Sequence, residues 1–367
     1  MEESSQFSVE FVKQFLDKIF GHCLRKTVAK NLCLGIFGLI GAQSGLLSEI
    51  VRSFPSDYVL DVAHKHRLKR LNRFLGSGFF KPEIVMSLWL KWCAKRFSRE
   101  GRLSIALDWT ALPGNFICLM AAIPFSGRAI PIYFKIVSYG TLEKSQNSVE
   151  DHFVTQLIGL LPKEIRPIVL ADRGFGRASL LLLLLSLQVG FCIRVKSDVW
   201  ITLKNGRRVK LSQMKVRSNR IRWYESITYR EDGLVSGVNL AVTQAEESDD
   251  PWFLITNLAS GKEAVAYYQS RFQIEEFFKD AKHQLGISDT QTPRLIRVRR
   301  LLCIACLGYG LLTSVGQKLE ECPRVQRALI GPSQQKVVSY IWLALKAIRH
   351  NLIGLNVWQA ALSGLGP

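Results

Sequence analysis

"LSIALDWTAL", residues 103–112, carries one charge in ten residues. Its apolar run is too short for a buried helix and fits a buried strand, with Asp108 standing where that strand ends. Two longer runs follow, "NFICLMAAIPF" (115–125) and "RAIPIYFKIV" (128–137), parted only by Ser126 and Gly127, and they read as a hairpin. "SQNSVEDHFVTQLIGLLP" (145–162) has the spacing of an amphipathic helix. "RPIVLADRGFG" (166–176) is another apolar strand ending in an acid, Asp172. "RASLLLLLLSLQVG" (177–190) reads as a buried helix and "FCIRVK" (191–196) as a strand. Three strands, helix, strand, helix, strand is the order of a mixed α/β sheet.

On either side the texture changes. Residues 197–260 alternate polar and apolar, with turn signals at "KNGR" (204–207) and "EDG" (231–233), and predict a β-rich insertion. Residues 1–98 read as helices, beginning with "SVEFVKQFLDKIFGHCL" (8–24) and Ser8 as its N-cap. Residues 301–367 also read as helical. The expected division is a basic helical region over 1–98, a catalytic domain over 99–300 holding the insertion, and a helical region over 301–367.

The charge limits the function. Forty-nine Lys and Arg against thirty Asp and Glu give +19 over 367 residues. Such an excess points to a polyanion, nucleic acid first, with an anionic membrane surface or a ribosomal neighbourhood as weaker alternatives. Two clusters concentrate it. "HKHRLKRLNRFLGSG" (64–78) sets Lys65, Lys69 and Arg73 at i,i+4, with Arg70 beside them and no acid. It is either a solvated face or a DNA contact. "TPRLIRVRR" (292–300) adds Arg294, Arg297, Arg299 and Arg300. The apolar runs at 31–42, 180–187 and 301–316 fall short of the roughly 18 residues a membrane span needs, so buried helices are expected. The eight cysteines are scattered; the one close pair, Cys303 and Cys306, has no companion ligands for zinc. "MEESSQFSVE" is no signal peptide, and a reducing cytoplasm is the expected location.

The third acid lies in "YQSRFQIEEFFKDAK", residues 268–282. On one helix, at about 100° per residue, Tyr268, Arg271, Glu275 and Lys282 share an arc of roughly 60°. Ile274, Phe277, Phe278, Ala281 and Leu285 form an apolar stripe beside it. The plain alternative is a surface helix with an Arg271–Glu275 ion pair. Asp108 and Asp172 at strand ends, with Glu275 on this helix, make a set of hard oxygen donors suited to Mg²⁺ or Mn²⁺. Such carboxylates hold two ions about 4 Å apart for in-line displacement at phosphorus. Arg271 and Lys282 would then grip phosphates, and Tyr268 would donate its hydroxyl to a phosphate oxygen.

The spacing Tyr268-x2-Arg271-x3-Glu275-x6-Lys282 resembles the Tyr-Arg-Glu-Lys signature of a group of bacterial insertion-sequence transposases, relatives of the transposon-five transposase. "LDWTAL", with Thr110 two residues after the acid, and "LADRGFGR" resemble that group's two Asp segments. The resemblance runs from about residue 100 to 300. It implies an RNase H-like core with a β-strand insertion, Asp108, Asp172 and Glu275 as metal-binding catalytic residues, and Tyr268, Arg271 and Lys282 on DNA phosphates. It also implies double-stranded DNA partners, namely terminal inverted repeats and target DNA, a homodimer on DNA, and a bacterial, nucleoid-associated location. In some members an aromatic of the insertion stacks on a flipped base; Trp252 and Trp223 are the candidates here, unless both are core residues. The competing functions are a DNA-binding protein that keeps the core without catalysis, an RNase H-like nuclease without strand transfer, and a membrane-associated protein. The intact triad disfavours the first and is left unexplained by the last.

Overall fold

The computed structural model describes residues 7–142, 145–218, 220–230, 235–244, 250–330 and 338–363. The opening "MEESSQ" and the expected "EDG" turn lie outside them. The chain opens with six helices: α1 (Val9–Phe20), α2 (Lys26–Ala42), α3 (Leu47–Arg52), α4 (Ser56–Asp61), α5 (His64–Gly76) and α6 (Pro82–Phe97). Ser8 caps α1 as its sequence requires, its hydroxyl accepting the Phe11 amide. Next come β1 (Arg102–Leu112), β2 (Phe116–Phe125), β3 (Arg128–Ser138), α7 (Tyr139–Leu142), α8 (Gln146–Leu160), β4 (Arg166–Ala171), α9 (Ala178–Ser186) and β5 (Gly190–Arg194). Strands β2 and β3 form the expected hairpin, and Ser126 and Gly127 both take the positive φ that a two-residue turn demands.

The insertion supplies β6 (Trp200–Thr202), β7 (Arg208–Lys210), β8 (Arg222–Tyr229), β9 (Val235–Thr243) and β10 (Trp252–Thr256). It continues the core sheet, because β10 pairs antiparallel with β5. One ten-stranded sheet results, in the order β3-β2-β1-β4-β5-β10-β9-β8-β6-β7. Strands β1, β4 and β5 are parallel; on the outer side of β1, β2 runs antiparallel to it and β3 antiparallel to β2. This is an RNase H-like mixed-sheet core with a β-rich insertion, flanked by helical N- and C-terminal regions.

The chain then enters α10 (Gly261–Arg271) and α11 (Gln273–His283), followed by α12 (Leu295–Glu320), α13 (Pro323–Leu329), α14 (Tyr340–Arg349) and α15 (Leu355–Ser363). Helix α12 runs through the boundary expected at residue 300 and packs on α2, α5, α6, α14, α15 and β3. The terminal helices therefore share one layer built around α12. Its apolar run is buried by protein, and among the described residues no helix is long and apolar enough to cross a membrane. Helix α9 buries Leu180, Leu181 and Leu184 but leaves Leu182 exposed, so it is buried on one side only.

Pleating divides the sheet between two cores. Ile168 and Leu170 of β4 join Leu254 of β10 beneath Ala264, Val265 and Tyr268 of α10, while Val169 and Ala171 face the larger core. Ser104 and Ala106 share the face of their in-register partners Ile168 and Leu170 on β4, the face that α10 covers, and the alternation along β1 puts Asp108 on it too.

Candidate active site

The parallel pairing of β1 with β4 ends at Leu107 and Ala171. Asp108 and Asp172 are the next residue on each strand, so register and pleat together bring them to one end and one face of the sheet. Asp108 was expected to end its strand, yet β1 continues to Leu112. Beyond Asp108 it loses β4 but keeps β2, through pairs from Asp108↔Met120 to Leu112↔Phe116. Asp172 does end β4. Its Oδ1 accepts the Gly174 amide at 2.9 Å and caps a 3-10 turn, Arg173–Phe175. A Cβ on Gly174 would stand 3.1 Å from that oxygen, so the glycine keeps room for the carboxylate.

Helices α10 and α11 bring the third acid to the same face. The sequence predicts one helix over 268–282; the structure breaks it at Phe272. The Glu275 amide donates to the Phe272 carbonyl at 3.1 Å, the tighter i→i+3 spacing. The Phe272 ring stacks on Trp252 at 5.7 Å, meets Tyr268 edge-on at 5.8 Å and carries the Arg271 guanidinium at 4.4 Å. The break thus falls where a large ring is drawn into the smaller core. Below it, Ile274, Phe277, Phe278 and Ala281 bury the stripe the periodicity predicts, over β1–β3.

Arg271 ties the acids together. Its Nη1 lies 3.4 Å from Asp108 Oδ2 and its Nη2 2.6 Å from Glu275 Oε1, with the side chain only 5% exposed. Burial pushes Asp108 up to about 6; Arg271 and the Trp109 amide on Oδ1 oppose the rise, and Asp172 and Glu275 add to it. Both other acids are therefore within electrostatic reach of Asp108. Among the described residues no three of His, Cys, Asp and Glu are gathered into a cluster that could hold a metal ion, and the guanidinium lies between Asp108 and Glu275. The donor chemistry still fits a hard divalent cation: three carboxylates, one of them half-buried and raised in pKa by that burial.

The other expected contacts divide. The Lys282 ammonium has no partner among the described residues, and its side chain lies near Thr110, Leu112 and Phe278. Tyr268, expected to face a phosphate, is 1% exposed: its ring packs edge-on to Trp252 at 5.0 Å, and Arg271 and Arg194 are the cations within electrostatic reach of its hydroxyl. Trp252, at 5% exposure between Tyr268 and Phe272, has no face left for a flipped base. Trp223 is half-buried against the smaller core and donates its indole N–H to Glu225. Of the insertion's tryptophans, Trp200 is the most exposed and lies under Arg208 at 5.3 Å; a lone Trp at the head of a three-residue strand gave no sequence signal.

The basic clusters also divide. Lys65, Lys69, Arg73 and Arg294 are exposed. Arg70 donates to Asn31 and to the Tyr58 hydroxyl. Arg297 is half-buried, with Nε unpartnered. Arg299 donates to the Ile136 carbonyl, and the buried Arg300 donates to the Phe80 and Leu75 carbonyls, so their guanidinium groups are structural ties.

One residue behind the site had not been singled out. Glu150 of α8 is 1% exposed and accepts from Trp109 Nε1 at 2.9 Å, Gln146 Nε2 at 3.0 Å and Arg177 Nη2 at 3.2 Å. Trp109 follows Asp108, and Arg177 follows the turn that Asp172 caps. A single buried carboxylate thus braces the backbone beside both aspartates. In the sequence it is one acid of "VEDHF", and only the tertiary pairing separates it from Asp151.

An RNase H-like sheet thus carries two acids just beyond the last paired residues of neighbouring parallel strands, and a third on a later helix. Residues 135–311 match the family described as transposase DDE domain. That span holds Asp172, Glu275 and the rest of the quoted signature, and begins after Asp108. The match supports a DDE transposase and a transposase role, and it implies DNA as the substrate. No curated protein matches the chain.

Proposed function

We propose that this chain cuts DNA at the ends of a mobile element and joins the freed 3′-hydroxyl to target DNA, with Asp108, Asp172 and Glu275 as the catalytic acids. The observation that carries this reading is the placing of Asp108 and Asp172 just past the last paired residues of two parallel strands, with Asp108 linked to Glu275 through Arg271. The three carboxylates would hold two Mg²⁺ or Mn²⁺ ions. When bound, such ions activate a water or 3′-hydroxyl and neutralise charge at the leaving oxygen. Arg271 and Lys282 would hold phosphate oxygens beside the acids, Arg271 exchanging a carboxylate for a phosphate of like charge. In the first step water attacks phosphorus and the bond to the 3′-oxygen breaks, leaving a 3′-hydroxyl. In the second that hydroxyl attacks a target phosphate and displaces its 3′-oxygen. A homodimer bridging two terminal repeats, and the division into an N-terminal DNA-binding region (1–98), a catalytic domain (99–300) and a C-terminal region (301–367), belong to the same proposal. A DNA-binding protein without catalysis is disfavoured by the retained acids.

The test is a duplex carrying the terminal repeat that flanks the coding sequence, incubated with the protein and Mg²⁺ or Mn²⁺ beside Glu275→Gln. Cleavage at the repeat boundary by the wild type alone is expected, with strand-transfer products. Equal cutting by both proteins removes Glu275 from the site. Binding without cutting by either favours the non-catalytic reading.

A further inference from the structure

A cleft of about 240 Å³ opens in the N-terminal helices, between the start of α2 and the end of α5, away from the acids. Arg70, Arg73, Asn31 and Ser77 supply its polar lining, Phe74 and Phe79 its aromatic lining, and no carboxylate lines it. Arg70 is fixed before any ligand arrives: its Nε donates to Asn31 Oδ1 at 2.8 Å and its Nη1 to the Tyr58 hydroxyl at 2.8 Å. Asn31 is held in turn by its own bond to the Thr27 carbonyl. Arg73, one turn along α5, is exposed and has no partner among the described residues. Phe79 is 65% exposed, and the Arg25 guanidinium stands 4.3 Å from its ring centre. What sets Phe79 apart from other exposed apolar side chains is its place at the cleft, beside one preset and one unpaired guanidinium.

We infer that this cleft binds one unstacked nucleotide of a DNA strand, its phosphate on Arg70 and Arg73 and its base on Phe79. Guanidinium groups match phosphate oxygens in geometry and charge. The volume admits a single base, and a base can offer its face to a ring only when it is out of the helical stack. A duplex passing over the helices would meet Lys65 and Lys69 with its backbone but would have no use for Phe79. The cleft therefore separates an unpaired strand, such as one splayed at a DNA end, from the paired DNA that general basic charge attracts.

The inference rests on the DNA-acting reading proposed above but not on its catalytic acids, and the two fail separately. In metal-free buffer, the full chain is titrated with a short fluorescein-labelled oligothymidylate and with a mixed-sequence duplex. Phe79→Ala, at a largely exposed position, should weaken the single strand by about 5- to 100-fold, the worth of one stacked base, and leave the duplex within about twofold. Arg73→Ala should weaken the single strand and lower its salt slope by about 0.7. An oligothymidylate carrying 5-iodouracil should cross-link on irradiation to the peptide holding Phe79, and the same strand in a duplex should not. Unchanged single-strand affinity in Phe79→Ala, or equal losses for strand and duplex, overturns the inference. So does competition by free thymidine monophosphate as strong as that of the oligonucleotide, which would assign the cleft to a free nucleotide. A wild type that cuts terminal repeats while Phe79→Ala binds strands normally sinks this inference alone. Cross-linking at Phe79 in a chain that never cuts sinks the catalytic reading alone.

Discussion

Arg271 reaches from the last turn of α10 to Asp108 on β1, with Nη1 3.4 Å from Oδ2, while its other arm holds Glu275 at 2.6 Å. A buried cation thus supplies the positive charge that two acids facing one another require. A divalent ion held by those acids would compete with it.

Removal of that competitor should have opposite effects on metal and on fold. Arg271→Ala should bind Mn²⁺ at least about tenfold more tightly in the absence of DNA, since a like-signed neighbour is gone. It should also lose about 3 kcal/mol of stability, because two acids of a broken buried pair are left facing one another. Calorimetric titration with Mn²⁺ and urea unfolding in chelator read the two effects. Weaker Mn²⁺ binding by the variant would count against these acids as the metal ligands.

Asp108 gives the chain a pH signature. Its carboxyl moves from the ordinary 3.8 to about 6 on folding, burial being the main cause. The folded chain holds that proton more tightly than the unfolded one. The stabilisation is therefore complete below about pH 4 and is lost as the pH rises through about 6, a fall of about 3 kcal/mol. Urea midpoints of the metal-free wild type, compared with Asp108→Asn across this window, isolate the group. The wild type should lose stability relative to the variant as pH rises; a relative gain would contradict the burial argument.

Glu150 should prove costly to neutralise. Glu150→Gln leaves Arg177 facing only part of its present charge, and about 3 kcal/mol of stability should go. Gln keeps an acceptor for the Trp109 indole, so the loss should exceed that of Trp109→Phe, which removes one hydrogen bond worth about 1 kcal/mol. Denaturant midpoints of the two variants check the order.

The basic residues should separate by environment. Lys65→Ala with Lys69→Ala should leave stability unchanged and, if both meet phosphates, lower the salt slope of duplex binding by about 2. Arg300→Ala should instead cost about 2 kcal/mol or more, because the buried Phe80 and Leu75 carbonyls lose their donor. Binding titrations over a salt series and thermal unfolding distinguish the two behaviours.

The sequence by itself determined most of the sheet's elements and their order, and it offered the acids as candidates. Apolar runs of strand length, helical periodicity and the turn residues at 126 and 127 are local signals, and local physics acted on them as read: β1 through β5 with α8 and α9 between them, Ser8 at its cap, and the buried stripe of α11. Asp108 and Asp172 were legible as candidates because an acid closing an apolar run is conspicuous.

What only the tertiary structure decided depends on partners distant in sequence. β1 outruns Asp108 because β2 is there to pair with it. The helix over 268–282 breaks because Phe272 finds Trp252. Tyr268 and Trp252 carry polar groups that suit either a core or a DNA contact, and the second core beneath α10 claimed both. Arg300 and Arg73 look alike in their clusters, yet one meets two buried carbonyls and the other meets solvent. Glu150 and Asp151 are neighbours and both pair with Arg177, but only Glu150 is buried and reaches Trp109. A charge's role follows from whether burial removes its water and which groups replace it, and that is fixed by contacts outside the local stretch, from tens of residues away for Glu150 to more than two hundred for Arg300, rather than by its place in a motif.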